Sequence, residues 1–328
     1  MMRTRTALGS LVTAGAWAAC LGLIVVVVAR FVFWDQRVLI VGLDGIAPLL
    51  LLAAWPITAG AVFKKKRLLA SVGVALVIAH GVVIAPELAA REPARGSVGD
   101  QYRLLLANVK IDTAQPAAIA ALIRRTRPDV VVLVEAPEQL VTEVLDSDLA
   151  GATLAPVFPH RVQVDRQDPF ALAVVSRFPV DGATVRYSGG RPVAVVMSVD
   201  GGRSRLVAAH AVAPVGSGRE GWEADIAMIA SASAEERPVP TVIAGDFNAT
   251  WNHRPFRRLL DRGFIDAAAA RGRPLDTTWP RNFRFLPPLL RIDHVLTSGG
   301  AEVVKIHSLD LAGSDHRALL AEVNVFGP

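Results

Sequence analysis

Cysteine is almost missing from this sequence: Cys20 is the only one in 328 residues. No intrachain disulfide can form, so cysteine usage is silent about redox compartment, and a thiolate cage for structural zinc is excluded. Lysine is scarce beyond Arg67, where only Lys110 and Lys305 occur. Neither an internal repeat nor a low-complexity segment is present. Charge is missing from long stretches near the start: Ala7 to Ala29 and Ile46 to Phe63 carry none, and His80 is the only ionisable side chain from Leu68 to Ala85.

What fills these stretches is apolar, and they raise the hydrophobic fraction to 52%, above the usual soluble range. Each is long enough for a helix crossing a hydrocarbon core of about 30 Å at about 1.5 Å per residue. Three near-consecutive runs of this kind rarely belong to one soluble core. A cleaved signal peptide is the better rival for the first run, and Ala18-Ala19-Cys20 hints at a lipoprotein site. Trp17, however, stands where a branched aliphatic residue is wanted, and apolar residues continue past Cys20, so the run reads as a retained anchor. Arg3 and Arg5 precede it, and Lys64-Lys65-Lys66-Arg67 fills the link between the second and third runs. Cytoplasmic loops are enriched in such residues, which puts the Arg30 to Arg37 link, with Asp35, and everything after Ala85 on the other side. Asp44 is expected at the interface, and His80 in helix packing or at the interface.

Splitting the net charge of +5 changes its meaning. Up to Arg95 there are ten Lys or Arg against four Asp or Glu, which leaves twenty-five against twenty-six for the remainder. The positive excess belongs to the anchor, and the larger domain lacks the net signature of a nucleic-acid binder. Two local groups remain: Arg254, Arg257, Arg258 and Arg262, read first as a solvated helix face, and Arg281, Arg284 and Arg291.

The expected organisation is a membrane anchor over 1–86, a Pro- and Gly-containing linker over 87–100, and a domain over 101–328. In that domain Tyr102–Val109, Val130–Val134, Leu172–Val175, Val193–Val199, Leu206–Ala209, Thr241–Ala244 and Ile292–Leu296 read as strands. Pro116–Arg127 reads as a helix started by Asp112 or Thr113, and Gly221–Ala234 and Asn252–Arg262 are further candidates.

The chemistry sits where apolar strands stop. Thr241-Val242-Ile243-Ala244-Gly245 ends in Asp246-Phe247-Asn248, and a spacing of two puts carboxylate and carboxamide on one side of an extended chain. The carboxylate can orient or deprotonate a water while the amide holds an oxygen in line. Turn chemistry alone also favours Gly, Asp and Asn. Ser314-Asp315-His316 sets an acid beside a proton shuttle, and Ile292-Asp293-His294 repeats the pairing. Glu135 closes Val130–Val134, where burial would be costly without a cation. Asn108 and His210 end two further apolar runs. Hard oxygen ligands point to magnesium, manganese or calcium.

These pieces, with Ser176-Arg177-Phe178-Pro179 and Thr278-Trp279 between them, resemble in order the endonuclease/exonuclease/phosphatase superfamily of deoxyribonucleases, abasic-site endonucleases, sphingomyelinases and inositol polyphosphate phosphatases, over about Gln101 to Val325. The resemblance implies a four-layer α/β sandwich with two mixed β-sheets, here preceded by about three transmembrane helices. It implies Glu135 as principal metal ligand with Asn108 beside it and Asp315 as a further metal-side acid. Asp246 resembles the residue that activates the attacking water, and Asn248 its phosphate-holding companion. His316, oriented by Asp293, resembles the histidine that contacts phosphate or moves a proton, and His210 a candidate general acid. Arg177 is either structural or phosphate-steering.

The expected activity is hydrolysis of a phosphoester, phosphodiester ahead of monoester, by in-line attack of water with Mg2+, Mn2+ or Ca2+, outside the cytoplasm. Expected partners are the lipid bilayer and a nucleic acid, lipid head group or small phosphoester. The rival class is a catalytically silent, membrane-anchored binding module, against which the complete set of acids, amides and histidines argues.

Overall fold

The computed structural model describes residues 2–32, 37–90, 100–110, 113–148, 151–164, 169–216, 218–233, 239–281 and 286–326. Most of the expected linker, at 91–99, lies outside the described residues, as do Asp35, Asp112, Ala234 and Arg284. The chain divides into two compact units, residues 1–86 with 252–254, and 87–251 with 255–328.

The first unit is helical: α1 (Met2–Val32), α2 (Val38–Leu51), α3 (Ala54–Phe63) and α4 (Arg67–Leu88). Three stretches, Gly9–Val32, Val38–Phe63 and Arg67–Leu88, are long and apolar enough to cross a membrane. Leu21, Val25, Phe63, Leu68, Ile78 and Val82 are exposed on them, a distribution that suits lipid rather than water. The second stretch starts at Val38, upstream of the uncharged run, because Val38-Leu39-Ile40-Val41 continues its apolar character. Asp44 therefore lies within a helix and is buried, not at a free edge as expected. Pro56 has no N–H for the Leu52 carbonyl, and α2 gives way to α3 there through tight i→i−3 bonds, Leu52 N to Leu49 O at 3.3 Å and Ala53 N to Leu50 O at 3.1 Å. A Cβ on Gly73 would overlap Thr58 Oγ1, so glycine lets α3 and α4 approach closely. His80 is buried, and its Nδ1 accepts from Trp55 Nε1 at 2.9 Å, a helix-packing role.

The second unit runs β1 (Asp100–Asn108), α5 (Pro116–Thr126), β2 (Val130–Val134), α6 (Glu138–Asp146), β3 (His160–Val164), β4 (Leu172–Ser176), β5 (Val180–Ser188), β6 (Arg191–Val199), β7 (Ser204–His210), α7 (Gly218–Ala232), β8 (Thr241–Asp246), α8 (Arg254–Leu260), β9 (Ile265–Asp266), α9 (Ala267–Ala270), β10 (Asp293–Ser298), β11 (Ala301–Asp310) and β12 (Arg317–Val325). Two six-stranded mixed sheets result, ordered β11-β12-β1-β2-β4-β3 and β5-β6-β7-β8-β10-β9.

Period-two alternation explains the layers. Leu104, Leu106, Val130, Val132 and Val134 of the first sheet meet Met197, Leu206, Ala208, Val242 and Ala244 of the second in one core. Their neighbours Leu105, Ala107, Val131 and Leu133 face the other way onto Ile119 and Ile123 of α5 and Val141 and Val144 of α6. On the second sheet α7 packs against β5, β6 and β7. The molecule's second unit is thus the expected α/β sandwich with two mixed sheets.

Each sheet has one parallel pair, β1 with β2 and β7 with β8. Parallel strands end together, so each pair delivers two polar termini to one edge. Alpha5 begins at Pro116, and Gln115 at its N-cap makes no side-chain cap, while the Thr113 hydroxyl donates to Lys110 O at 2.8 Å.

Candidate active site

Register assembles the site. His210 pairs with Asp246 across the parallel β7/β8 ladder, and Asp246 pairs with Asp293 across the antiparallel β8/β10 ladder. Three polar side chains therefore form a row along one edge of the second sheet. A Cβ on Gly245 would overlap the Ala209 carbonyl oxygen, so the residue before Asp246 must be glycine for β7 and β8 to pair. From the first sheet come Asn108, the last residue of β1, and Glu135, which leaves β2 in the left-handed region at φ 58°.

These groups touch. Asn108 Nδ2 donates to Glu135 Oε1 at 2.9 Å and to Asp246 Oδ2 at 3.0 Å, bridging two carboxylates from different sheets. His210 Nε2 lies 3.9 Å from Glu135 Oε1, and His316 Nε2 lies 3.9 Å from Asp246 Oδ2. His316 Nδ1 donates to Asp293 Oδ2 at 2.8 Å. The Asn248 N–H donates to Asp246 Oδ1 at 2.8 Å, and Asn248 Nδ2 to the Ala211 carbonyl at 2.9 Å.

Asp315 is not gathered in. Its Oδ2 takes the Lys110 ammonium at 3.0 Å. Arg177 pairs with Asp129 at 3.1 Å, at the start of β2 and so at the opposite end from Glu135, which makes it structural. Arg291 is buried between Glu87 at 2.5 Å and Asp266 at 3.8 Å and contributes to no solvent-facing basic patch.

Burial sets the charge states. It pushes His210 down to about 3, helped by His316 and Arg191 and opposed by Asp293, so the ring is neutral at pH 7. His316 loses from burial too, but Asp293, then Asp246 and Asp315, outweigh that and raise it to about 10. Asp246 is raised to about 7 by burial and then by Asp293, against the pull of His316 and the Asn248 and Asn108 donors.

The residues fit a divalent cation. Glu135, His210 and Asp246 offer ligand atoms within 4.8 Å of one another, as do Asp246, Asp293 and His316. The first group suits a cation better: its imidazole is neutral, whereas the second's carries an extra proton and is bonded to Asp293. Each group also holds one buried polar atom without a hydrogen-bond partner among the described residues, His210 Nδ1 in the first and Asp293 Oδ1 in the second, so both have spare ligand capacity.

Several residues support the site from outside its polar row. Thr278 Oγ1 accepts from the Ile292 and Asp293 N–H groups at 3.2 and 3.3 Å, and Ser314 Oγ ties Asn108 O to His316 N at 2.8 and 2.9 Å. Phe170 lies 5.2 Å from the His210 ring, with the Arg191 guanidinium 4.7 Å above it. Thr278 and Ser314 lie within motifs the sequence shows, Thr278-Trp279 and Ser314-Asp315-His316, whereas Phe170 and Arg191 carried no sequence signal.

A search of curated protein sequences finds no match. Among solved structures the chain is similar to truncated TDP2 of Caenorhabditis elegans, at 17% identity over 69% of this chain and 98% of that one, TM-score 0.54. It is also similar to D. rerio TDP2 complexed with single strand DNA product, at 14% over 69% and 100%, TM-score 0.58. An endonuclease/exonuclease/phosphatase from Beutenbergia cavernae gives 20% over 69% and 72%, TM-score 0.51. At these identities the likeness speaks for the fold. The profile of the Endonuclease/Exonuclease/phosphatase family matches residues 105–316, which contain every strand terminus of the site, and the chain belongs to that family.

Proposed function

We propose that this chain is a membrane-tethered hydrolase that cleaves a phosphoester, a phosphodiester in preference to a monoester, with the help of a divalent cation. The observation that carries this reading is the convergence of Asn108, Glu135, His210, Asp246, Asp293 and His316 at one edge of two sheets. Family membership supports hydrolysis of phosphoester bonds.

Glu135 and Asp246, with His210 alongside, would hold the cation, Mg2+ or Mn2+ by the hardness of the oxygen donors. When bound, it supplies positive charge to the phosphoryl oxygens and favours the ionised form of Asp246. Asp246, kept in place by the Asn248 N–H, then orients the attacking water and takes its proton. As the water oxygen bonds to phosphorus, the bond to the leaving oxygen breaks. His316 bears a proton at neutral pH and donates it to that oxygen or holds a phosphoryl oxygen. His210, neutral by burial, is better placed as a ligand than as the acid that sequence resemblance suggested.

The near-neutral charge after Arg95 leaves lipid head groups and small phosphoesters level with nucleic acid. That D. rerio TDP2 is seen with single strand DNA product keeps DNA on the panel. We place the site outside the cytoplasm, with the Lys64–Arg67 cluster inside.

The deciding experiment uses the full chain in detergent: hydrolysis of bis(p-nitrophenyl) phosphate with Mg2+ or Mn2+, abolished by chelator, followed by DNA, RNA, sphingomyelin, phosphatidylinositol and inositol phosphates. Absence of any metal-dependent turnover would leave the silent binding module standing. A reporter fused after Arg95 that works only in the cytoplasm would reverse the orientation.

A further inference from the structure

His294 is completely buried and takes no part in the constellation above, although it follows Asp293 directly. Alternation along β10 turns Asp293 toward His316 and His294 to the opposite face. There both ring nitrogens meet oxygen: Nδ1 lies 2.5 Å from Asp266 Oδ2, and Nε2 lies 2.9 Å from the Ala249 carbonyl. The ring is tilted over Phe256 at 4.2 Å and stands edge-to-face with Phe247 at 5.7 Å. A polar ring this enclosed has few other orientations open to it.

Ala249 is the residue after Asn248, so the contact reaches the loop that leaves β8. Besides the bonds of Asn248 itself, three contacts hold the residues on either side of it. The Phe247 N–H donates to Ile292 O at 3.0 Å, and Trp222 Nε1 donates to Phe247 O at 3.0 Å. Both fix the residue before Asn248, while His294 fixes the one after it. Asn248 itself has φ 48°, in the left-handed region that asparagine tolerates better than other non-glycine residues, and the flanks together with its own bond to the Ala211 carbonyl select it there. Asp266 in turn is anchored: its Oδ1 accepts the Ala269 N–H at 2.8 Å, capping α9, and Arg291 lies 3.8 Å away.

We propose that His294 is the positioning residue for Asn248, clamping the Asp246–Ala249 loop from behind through the Asp266–His294–Ala249 chain of hydrogen bonds. The placement of the loop stands on its own; its consequence for turnover rests on the hydrolase reading. His294 touches neither substrate nor cation and acts through the geometry of Asn248.

The test compares His294→Gln and Asp266→Asn with the unaltered full chain in detergent. Hydrogen–deuterium exchange is read on peptides spanning 246–251, with β1 and β6 as internal references. We expect faster exchange in the loop and no change in the references. On a phosphoester that the unaltered chain hydrolyses, kcat should fall about 10- to 100-fold with KM within about twofold. In an Asn248→Ala background His294→Gln should cost less than about twofold more, because the two act as a unit. Unchanged loop exchange, or losses that multiply in the double variant, would overturn the proposal. If His294→Gln does not fold, Asp266→Asn, which keeps volume and shape, carries the same readouts. If the unaltered chain hydrolyses nothing, the hydrolase reading fails while the exchange measurement still decides the clamp.

Discussion

His316 Nδ1 donates to Asp293 Oδ2 at 2.8 Å, and this bond joins the polar row of the second sheet to the residue immediately before β12 of the first. Asp293 is also the leading cause of His316 holding its proton to about 10 despite burial. Asp293→Asn keeps the shape and removes the charge. Turnover should fall by about 10²- to 10⁴-fold, as when an orienting carboxylate beside a catalytic imidazole becomes an amide. The alkaline limb of the pH–rate profile should also move to lower pH. An unmoved limb would show that His316 is not the group carrying the proton.

The same charges fix how stability depends on pH. Asp246 is raised, so the folded chain keeps a proton that the unfolded chain has lost above its ordinary 3.8; that stabilisation is complete below 3.8 and disappears as pH rises through the raised value. His316 contributes stability that is complete below 6.5 and lost as pH rises through about 10. His210, lowered to about 3, works in the opposite sense only below 6.5. Chelator-treated protein should therefore lose Tm steadily from pH 7 to pH 9. Mg2+ or Mn2+ should restore Tm more at pH 8 than at pH 5, because protons compete for the same carboxylate. At a hundred times Kd the gain should be about 2.7 kcal/mol.

Function and stability oppose each other at Asp246. Asp246→Asn removes a buried carboxylate repelled by Asp293, so the chelated variant should melt higher than the unaltered chain at pH 8 while turnover falls to background. His316→Ala should also abolish turnover, but with a lower Tm, since it strands Asp293 in a buried position. Circular dichroism establishes folding in both. Wild-type rates from either folded variant would remove its residue from the mechanism.

Asp315 separates what resemblance suggests from what geometry supports. Its carboxylate is committed to Lys110 at 3.0 Å and falls in neither group of clustered ligand atoms. Asp315→Asn should leave cation affinity within about twofold, whereas Glu135→Gln, which removes a hard anionic ligand, should lower it about tenfold or more. Calorimetric titration with Mn2+ reads both. Equal losses would return Asp315 to the metal side.

The central strands were legible because they are apolar on both faces, and their polar termini stood out for the same reason. Beta3, β5, β11 and β12 escaped notice because polar and charged residues interrupt their apolar positions, as in the mostly exposed pattern of Val180–Ser188, and period two is faint there. Alpha6 was missed between Pro137 and Ser147, where its three acidic residues mask the apolar stripe of Val141, Val144 and Leu145. Glu135 and Asp246 could be picked as candidates from the strand ends, but their meeting depends on the packing of two sheets, which no local pattern encodes. His294 looked like half of a catalytic pair; only the alternation of β10 turns it away from Asp293.

Gly245 tests whether close strand approach holds the site together. Its Cα faces the Ala209 carbonyl so tightly that any Cβ overlaps it, and the overlap involves backbone that cannot swing aside. Gly245→Ala should push β7 from β8, break the pairing of His210 with Asp246, and cost more than about 3 kcal/mol with loss of turnover. Gly182, in the irregular stretch of β5, has φ 63° and open space around its Cβ position, so Gly182→Ala should cost about 1 kcal/mol and leave turnover intact. Thermal melts and turnover of both variants in the full chain give the comparison. Similar small costs at the two positions would mean that β7 and β8 can separate without harm to the site.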